Sequence, residues 1–168
     1  MTANDDEAFR DFVAGRWSAL LRTAYLLTGD EHRAEDLLQT SLAKLWLVWG
    51  RVGAEHPEAY VRRILTTTST SWWRRRWQGE RPMSDAMPES AAPGDFTDRL
   101  ADHDALITAL RSLTPRQRAV VVLRYAEDLS EAEVADALGI STGTVKTLAS
   151  RGLARLRLTT TQEREVAS

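Results

Sequence analysis

Ser130-Glu-Ala-Glu-Val-Ala-Asp-Ala-Leu-Gly-Ile-Ser-Thr-Gly-Thr-Val-Lys146 has the spacing of two short helices joined by a tight turn. Ala135 is small where the two helices must cross closely. Gly139 follows four residues later, where the chain has to pass through a left-handed conformation. Ile140 and Val145 are apolar where the second helix packs back on the first. Ser141 or Thr142 can cap that second helix. Continued to residue 158, the helix carries Val145, Leu148, Ala149, Gly152 and Leu156 on an inward stripe. Thr144, Thr147, Arg151 and Arg155 form a stripe on the far side. Short hydroxyls beside a basic stripe suit a recognition helix in a DNA major groove. The plainer reading of the same pattern is an amphipathic hairpin with a solvated basic face.

Working outward, the rest of the chain is also helical in pattern. No segment alternates strictly with period two, and prolines and glycines fall at the breaks. Thr114-Pro115 supplies a cap and a first-turn proline for a helix over 115–126, preceded by one over 98–112. Helices are further predicted over 130–138 and 142–158. In the first half, 6–27 places Phe9, Phe12/Val13, Leu20, Ala24 and Leu27 on one stripe, and Thr28-Gly-Asp30 ends it. Asp30 or its neighbour can cap a helix over 31–49, with Ala34, Leu37, Leu38, Leu42, Leu45 and Trp49 at helical spacing. Gly50 to Pro57 is expected to be a loop. A third helix, 58–77, has Val61, Ile64, Leu65, Thr68 and Trp72 on one face. All six tryptophans precede residue 78, and three of the five prolines (Pro82, Pro88, Pro93) fall between Gly79 and Thr97. The expected architecture is all-α: two small helical domains, 5–78 and 98–160, joined by a flexible linker, 79–97. The second is a helix-turn-helix domain. Units of this size are each expected to bury a modest core.

Composition narrows the function. The 168 residues are 43% hydrophobic and 27% charged, ordinary values for a globular chain. The longest apolar runs, Leu45–Trp49 and Ala119–Leu123, are five residues, too short to cross a bilayer. Asn4-Asp-Asp-Glu7 is unlike the start of a secretory signal. Cysteine is absent, which excludes disulfides, thiol catalysis and cysteine-ligated zinc. His32, His56 and His103 are scattered. The chain is therefore expected to be intracellular and free of metal and cofactor. It shows no nucleophile–base pair, phosphate loop or clustered carboxylates that would indicate an enzyme.

The net charge of -2 hides an uneven distribution. Six arginines and one acid lie between Arg62 and Arg81, and four basic residues and no acid between Ser141 and Leu158. Five acids (Glu127, Asp128, Glu131, Glu133, Asp136) and no basic residue lie between Tyr125 and Ile140. These acids would repel DNA, so they are expected to face solvent or a protein partner. The third helix carries a second stripe opposite its core face: Arg62, Thr66, Ser69, Thr70, Trp73 and Trp77. Together with Arg74-Arg75-Arg76 it mixes cations, hydroxyls and aromatics, as a surface for single-stranded or melting DNA does. Packing of Trp73 against a neighbouring helix is the alternative.

Two sets of motifs now carry a resemblance. Ala34-Glu-Asp-Leu-Leu-Gln39 with Leu42 and Trp46, then Ala59-Tyr-Val-Arg-Arg-Ile64 and Trp72-Trp-Arg-Arg-Arg76, resemble region 2 of the extracytoplasmic-function (ECF) sigma factors of bacterial RNA polymerase. Leu113-Thr-Pro-Arg-Gln-Arg118, Val121-Val-Leu-Arg-Tyr125, Gly143-Thr-Val-Lys146 and Ser150-Arg-Gly-Leu-Ala-Arg-Leu156 resemble region 4. The flavour is that of the actinobacterial SigE-like subgroup.

The resemblance implies a cytoplasmic initiation factor with defined surfaces. Glu35, Asp36, Leu38, Gln39, Leu42 and Trp46 would dock on the β′ coiled coil of core polymerase. Arg62, Arg63, Thr66, Thr70, Trp73, Arg74, Arg75 and Arg76 would engage the promoter −10 element. The loop Val52, Gly53, Ala54, Glu55 and His56 would hold a flipped non-template base. Thr142, Thr144, Lys146, Thr147, Ser150, Arg151 and Arg155 would read the −35 duplex. Implied partners are core polymerase through the β′ coiled coil and the β flap, promoter DNA, and an anti-sigma factor. The chain departs from the family's usual residues at Thr40, where an acid is common, at Thr67, where Asn is common, and at Ser71, often Asp. A stand-alone helix-turn-helix regulator would explain the second unit but leave the first unexplained. A sigma-like decoy that binds polymerase without DNA is the other alternative.

Overall fold

The computed structural model describes residues 2–52, 55–77 and 97–166, with backbone alone at 52, 76–77, 97–103, 160–164 and 166. The element order is α1 (Ala3–Thr28), α2 (Glu31–Val52), α3 (Pro57–Trp77), α4 (Thr97–Arg111), α5 (Pro115–Val121), a π-helical turn (Val122–Ala126), α6 (Glu131–Leu138) and α7 (Thr142–Val166). The chain is all-helical over these residues. The expected linker lies almost wholly outside them.

Short polar side chains start most of these helices, because the first backbone N–H groups have no partner within the helix. Thr2 and Asp5 form a capping box on α1: the Thr2 hydroxyl accepts from the Asp5 N–H and the Asp5 carboxylate accepts from the Thr2 N–H. Those hydrogen bonds hold the Asp5 carboxyl below its ordinary pKa. Gly29, at φ 73°, ends α1, and its N–H donates to the Tyr25 carbonyl at 2.7 Å. Asp30 then accepts from the Arg33 N–H at 2.9 Å and caps α2. Thr114 and Gln117 repeat the capping box on α5, with Pro115 in the first turn.

The predicted boundaries hold with four differences, the first being that α1 starts at Ala3, three residues before its expected start. Helix α2 continues through Gly50 to Val52, so the expected loop is shorter. Helix α7 runs to Val166, eight residues past its expected end. The single helix expected over 115–126 changes pitch at Val122, and the Glu127 N–H reaches back five residues to the Val122 carbonyl at 3.0 Å.

The larger difference concerns the core. Separate cores were expected for the two units. The main cluster instead joins Leu20, Ala24, Leu27, Leu37, Leu38, Leu45, Val61 and Leu65 of the first unit to Ile107, Leu110, Leu113, Val121 and Val122 of the second. Packing of α3 against α5 and α6, and of α1 against α4, closes the two units on each other. A smaller cluster of Val120, Leu123, Val134, Ala135, Val145 and Ala149 belongs to the second unit alone and packs the helix-turn-helix on α5 and the π-turn.

Arg118 stands at the junction, 3% exposed. Its guanidinium donates to four carbonyls: Leu110 at 2.9 Å, Leu27 at 3.0 Å, Arg111 at 3.2 Å and Leu113 at 3.4 Å. It also lies 5.0 Å over the ring of Trp73. Burial and the nearby Arg111 lower its pKa to about 10, so it stays charged at neutral pH. The fork-shaped guanidinium can serve several acceptors at once. Arg111 adds a hydrogen bond to the Gly29 carbonyl. Arg118 therefore collects carbonyls from α1, from the last turn of α4 and from the turn before α5.

Candidate nucleic-acid and polymerase interface

The helix-turn-helix forms as its sequence requires. Ser130 caps α6 by accepting from the Glu133 N–H at 3.1 Å, and Gly139 turns the chain at φ 66°. Of the two candidate caps for α7, Ser141 serves: it accepts from the Thr144 N–H at 3.1 Å. Val145 and Ala149 are buried, and a Cβ at Gly152 would lie 2.8 Å from Val121 Cγ2. Glycine is thus the residue that lets α7 approach α5. On the opposite side Thr142, Lys146, Thr147, Ser150, Arg151 and Arg155 are exposed, and Thr144 is half-buried. Thr144 is held by a side-chain hydrogen bond to Ser141, and Thr147 donates to the Gly143 carbonyl at 3.1 Å. Lys146 approaches Glu131 at 3.7 Å, an exposed pair worth little in water. The basic stripe is presented as expected.

Helix α3 is less open than its sequence suggested. Arg63, Arg74 and Arg75 are exposed. Thr66, expected on the outward stripe, is instead 0% exposed, and its hydroxyl donates to the carbonyls of Arg62 and Arg63. Ser69 is buried as well. Thr70 is half-buried and donates to the Thr66 carbonyl at 2.8 Å. Trp73 is half-buried beneath Arg118. The reason is that α3 packs on α2 with one face and on α5 and α6 with another. The side chains of Arg76 and Trp77 lie outside the described residues. Of the positions where the chain departs from the family's usual residues, Thr67 is exposed, and Thr40 and Ser71 are half-buried.

Arg62 is half-buried between two carboxylates. Its Nε lies 3.2 Å from Glu127 and its Nη2 3.5 Å from Glu58. The other Glu127 oxygen accepts from the Thr23 hydroxyl. The acidic stretch expected to face solvent or a partner therefore splits. Glu127 faces the first unit, and Glu131 faces Lys146. Sequence reasoning could not find this contact, because Glu127 is aimed by the π-turn. Asp128, at φ 54°, then breaks the helix.

The candidate loop is described at Glu55 and His56, both exposed. Gly53, Ala54 and the Val52 side chain lie outside the described residues. A cleft of about 510 Å³ opens beside this loop, between Phe12 and Arg16 of α1 and residues 55–59, with Arg62 at its edge.

On α2, Glu35, Asp36 and Gln39 are exposed and Trp46 is half-buried, its ring edge-on to Phe9 at 4.9 Å. Leu38 and Leu42 were expected in the same contact surface. Leu38 is 0% and Leu42 8% exposed, so both belong to the core. They lie on the stripe shared with Ala34, Leu37 and Leu45, which packs against α1 and α3. Leu47, 76% exposed, is the apolar side chain that the reading missed. Its signal was present: it falls off the core stripe within the apolar run 45–49.

Comparison with known proteins places these surfaces in context. Residues 17–79 match Sigma-70 region 2, and residues 103–156 match Sigma-70 region 4. The RNA polymerase sigma-E factor of Streptomyces coelicolor is 45% identical over 150 residues, covering 89% of this chain and 84% of that protein. The ECF RNA polymerase sigma factor SigG of Mycobacterium tuberculosis is 32% identical, covering 82% of this chain and 45% of that one. A crystal structure of the sigma factor RpoE in complex with the anti-sigma factor NepR, from Bartonella quintana, aligns with a TM-score of 0.71 at 26% identity. That alignment covers 91% of this chain and 96% of the other.

Proposed function

The chain belongs to the ECF sigma factors of bacterial RNA polymerase, and from that membership we propose which of its side chains perform each step of promoter recognition. The observation that carries the assignment is the exposed stripe Thr147, Arg151 and Arg155 on the second helix of a helix-turn-helix within the region 4 match. These side chains, with Thr142, Thr144, Lys146 and Ser150, read the −35 duplex. Arginine can pair bidentately with a guanine edge, and the hydroxyls and Lys146 position the helix on the phosphates.

The −10 element falls to α3. Arg63, Arg74 and Arg75 are the cations available on its surface, with Arg62 at the edge of the cleft and Arg76 the third member of the terminal cluster. Thr66 supports the helix and does not touch DNA. The cleft beside Glu55 and His56 has a volume in the range of small-molecule sites, which supports it as the receptacle for an extruded base. The carboxylate of Glu58, paired with Arg16 and Arg62, fixes the cations around its mouth.

Core polymerase docks on α2 through Glu35, Asp36, Gln39, Trp46 and Leu47, with the β′ coiled coil as the partner. The second unit contacts the β flap. An anti-sigma factor is a further partner, supported by the structural relative crystallised with one. The site of action is the cytoplasm; no helix among the described residues is long and apolar enough to cross a membrane. A reconstituted holoenzyme on promoter DNA tests the assignment. The wild-type chain should shift promoter DNA with core polymerase, and a variant altered at Thr147, Arg151 and Arg155 should lose the −35 contribution. Promoter binding by the free chain equal to that of the holoenzyme would favour a stand-alone regulator. Polymerase binding with no promoter shift would make the chain a decoy.

A further inference from the structure

We propose that Thr67 of α3 is a base-reading residue: it presents its methyl group to a thymine methyl group of the −10 element. The proposal rests on the assignment of α3 to that element. Three observations carry it. In the run Thr66-Thr67-Thr68 the outer two are buried, at 0% and 2%, and Thr67 is exposed. The Thr67 hydroxyl lies 2.7 Å from the Arg63 carbonyl and 3.3 Å from the Ile64 carbonyl, so its donor is used on its own helix. The group left to meet a ligand is the methyl. Tyr60, Arg63, Thr67 and Arg74 fall on one stripe at helical spacing, and all four are exposed.

The flanking cations give that methyl group its place. Arg63 lies one helical turn before Thr67 and Arg74 two turns after it, and together they span roughly 16 Å of helix axis. Cations at that separation can hold phosphates on both sides of a major groove about 12 Å wide, while the short side chain between them faces the base edges. Thymine alone among the four bases carries a methyl group in that groove, and a threonine methyl meets it by apolar contact. Thr67 therefore adds sequence preference at one base pair, and the arginines add affinity without preference. Burial of one such methyl group corresponds to about three- to fivefold in affinity.

The test compares Thr67→Ser, which keeps the hydroxyl and removes the methyl group, with Thr67→Val, which does the reverse. Circular dichroism and urea unfolding first confirm that both variants fold. Reconstituted holoenzyme of each then selects promoter duplexes from a library randomised over the −10 element. Wild type and Thr67→Val should enrich thymine at one shared position, and Thr67→Ser should not. In the selected duplex that thymine is replaced by uracil, which differs only by the missing methyl group. The replacement should weaken binding by wild-type and Thr67→Val holoenzyme about three- to fivefold and leave Thr67→Ser unchanged. The uracil arm needs no variant, so the wild type alone can refute the contact. Equal binding of thymine and uracil duplexes by the wild type, or the same preference in wild type and Thr67→Ser, overturns the proposal. Loss of preference in Thr67→Val but not in Thr67→Ser also overturns it and gives the reading to the hydroxyl. Arg63→Ala isolates the underlying assignment. If its holoenzyme opens the selected promoter like wild type, α3 is not the −10 surface. If it is impaired while uracil is tolerated, only the Thr67 reading has failed.

Discussion

Arg118 carries more of the fold than any other polar side chain described, because four carbonyls depend on it. Arg118→Ala removes the shared donor and leaves those acceptors buried, a loss of about 3 kcal/mol in unfolding free energy. Arg118→Lys should lose less, since an ammonium keeps the charge but cannot fork to all four carbonyls. Urea unfolding of both variants measures the difference, and equal stability of Arg118→Ala and wild type would refute the role. Gly152 presents the opposite problem. A side chain there meets Val121 Cγ2, so Gly152→Val should cost about 1–3 kcal/mol despite its gain in backbone rigidity. A raised thermal midpoint would show that α5 and α7 can separate without loss. Arg151 is exposed and should be neutral for stability. Arg151→Ala should weaken binding of a −35 duplex by about 1–3 kcal/mol, selectively at one base pair if it reads a guanine edge. Competition with singly substituted duplexes distinguishes that from a uniform loss through a phosphate.

At the scale of elements, α3 divides its tasks along its length. Its first half is locked by Val61, Leu65 and Thr66 and braced by Glu127, and its last turns carry Arg74 and Arg75 into solvent. An Arg74/Arg75/Arg76→Ala variant should therefore fold and bind core polymerase normally but fail at open-complex formation. Separated strands need compensating charge. Run-off transcription should recover in part on a template with a pre-melted bubble, and normal melting of duplex promoters would refute the assignment. Much of this was legible from local chemistry. Thr114-Pro115, Asp30, Ser141 and Gly139 act where their side chains or backbone freedom predicted, because capping and turning depend on residues a few positions apart. The face of α3 was read less well. Thr66 and Trp73 lie opposite the core stripe on a helical wheel, but a wheel assigns one buried face. Here a second face is covered by α5 and α6, a contact between residues some fifty positions apart. Leu38 and Leu42 show the converse: periodicity placed them in the core, and only the resemblance moved them to a surface.

For the whole molecule, charge sets how the free chain meets DNA. The net charge of -2 and the acids between residues 127 and 136 oppose non-specific attraction to DNA. The free chain should bind promoter duplex weakly and with steep salt dependence, and core polymerase should restore binding. Filter binding over a salt series, with and without core polymerase, measures both terms. Tight, salt-resistant binding by the free chain would contradict this.

The carbonyl of Leu27 accepts its hydrogen bond from a side chain ninety-one positions away. That single bond makes the two halves poor candidates for exchange. A hybrid that joins residues before the linker to the second half of a distant relative would need an arginine at the Arg118 position, and a turn like Gly29 to receive the Arg111 position. Without both it would meet its new half with unsatisfied carbonyls in a shared interior. Sequence divergence on either side of the linker is thereby tied together, and promoter specificity should be transplanted by changing the outer stripe of α7 while its inner face is left intact.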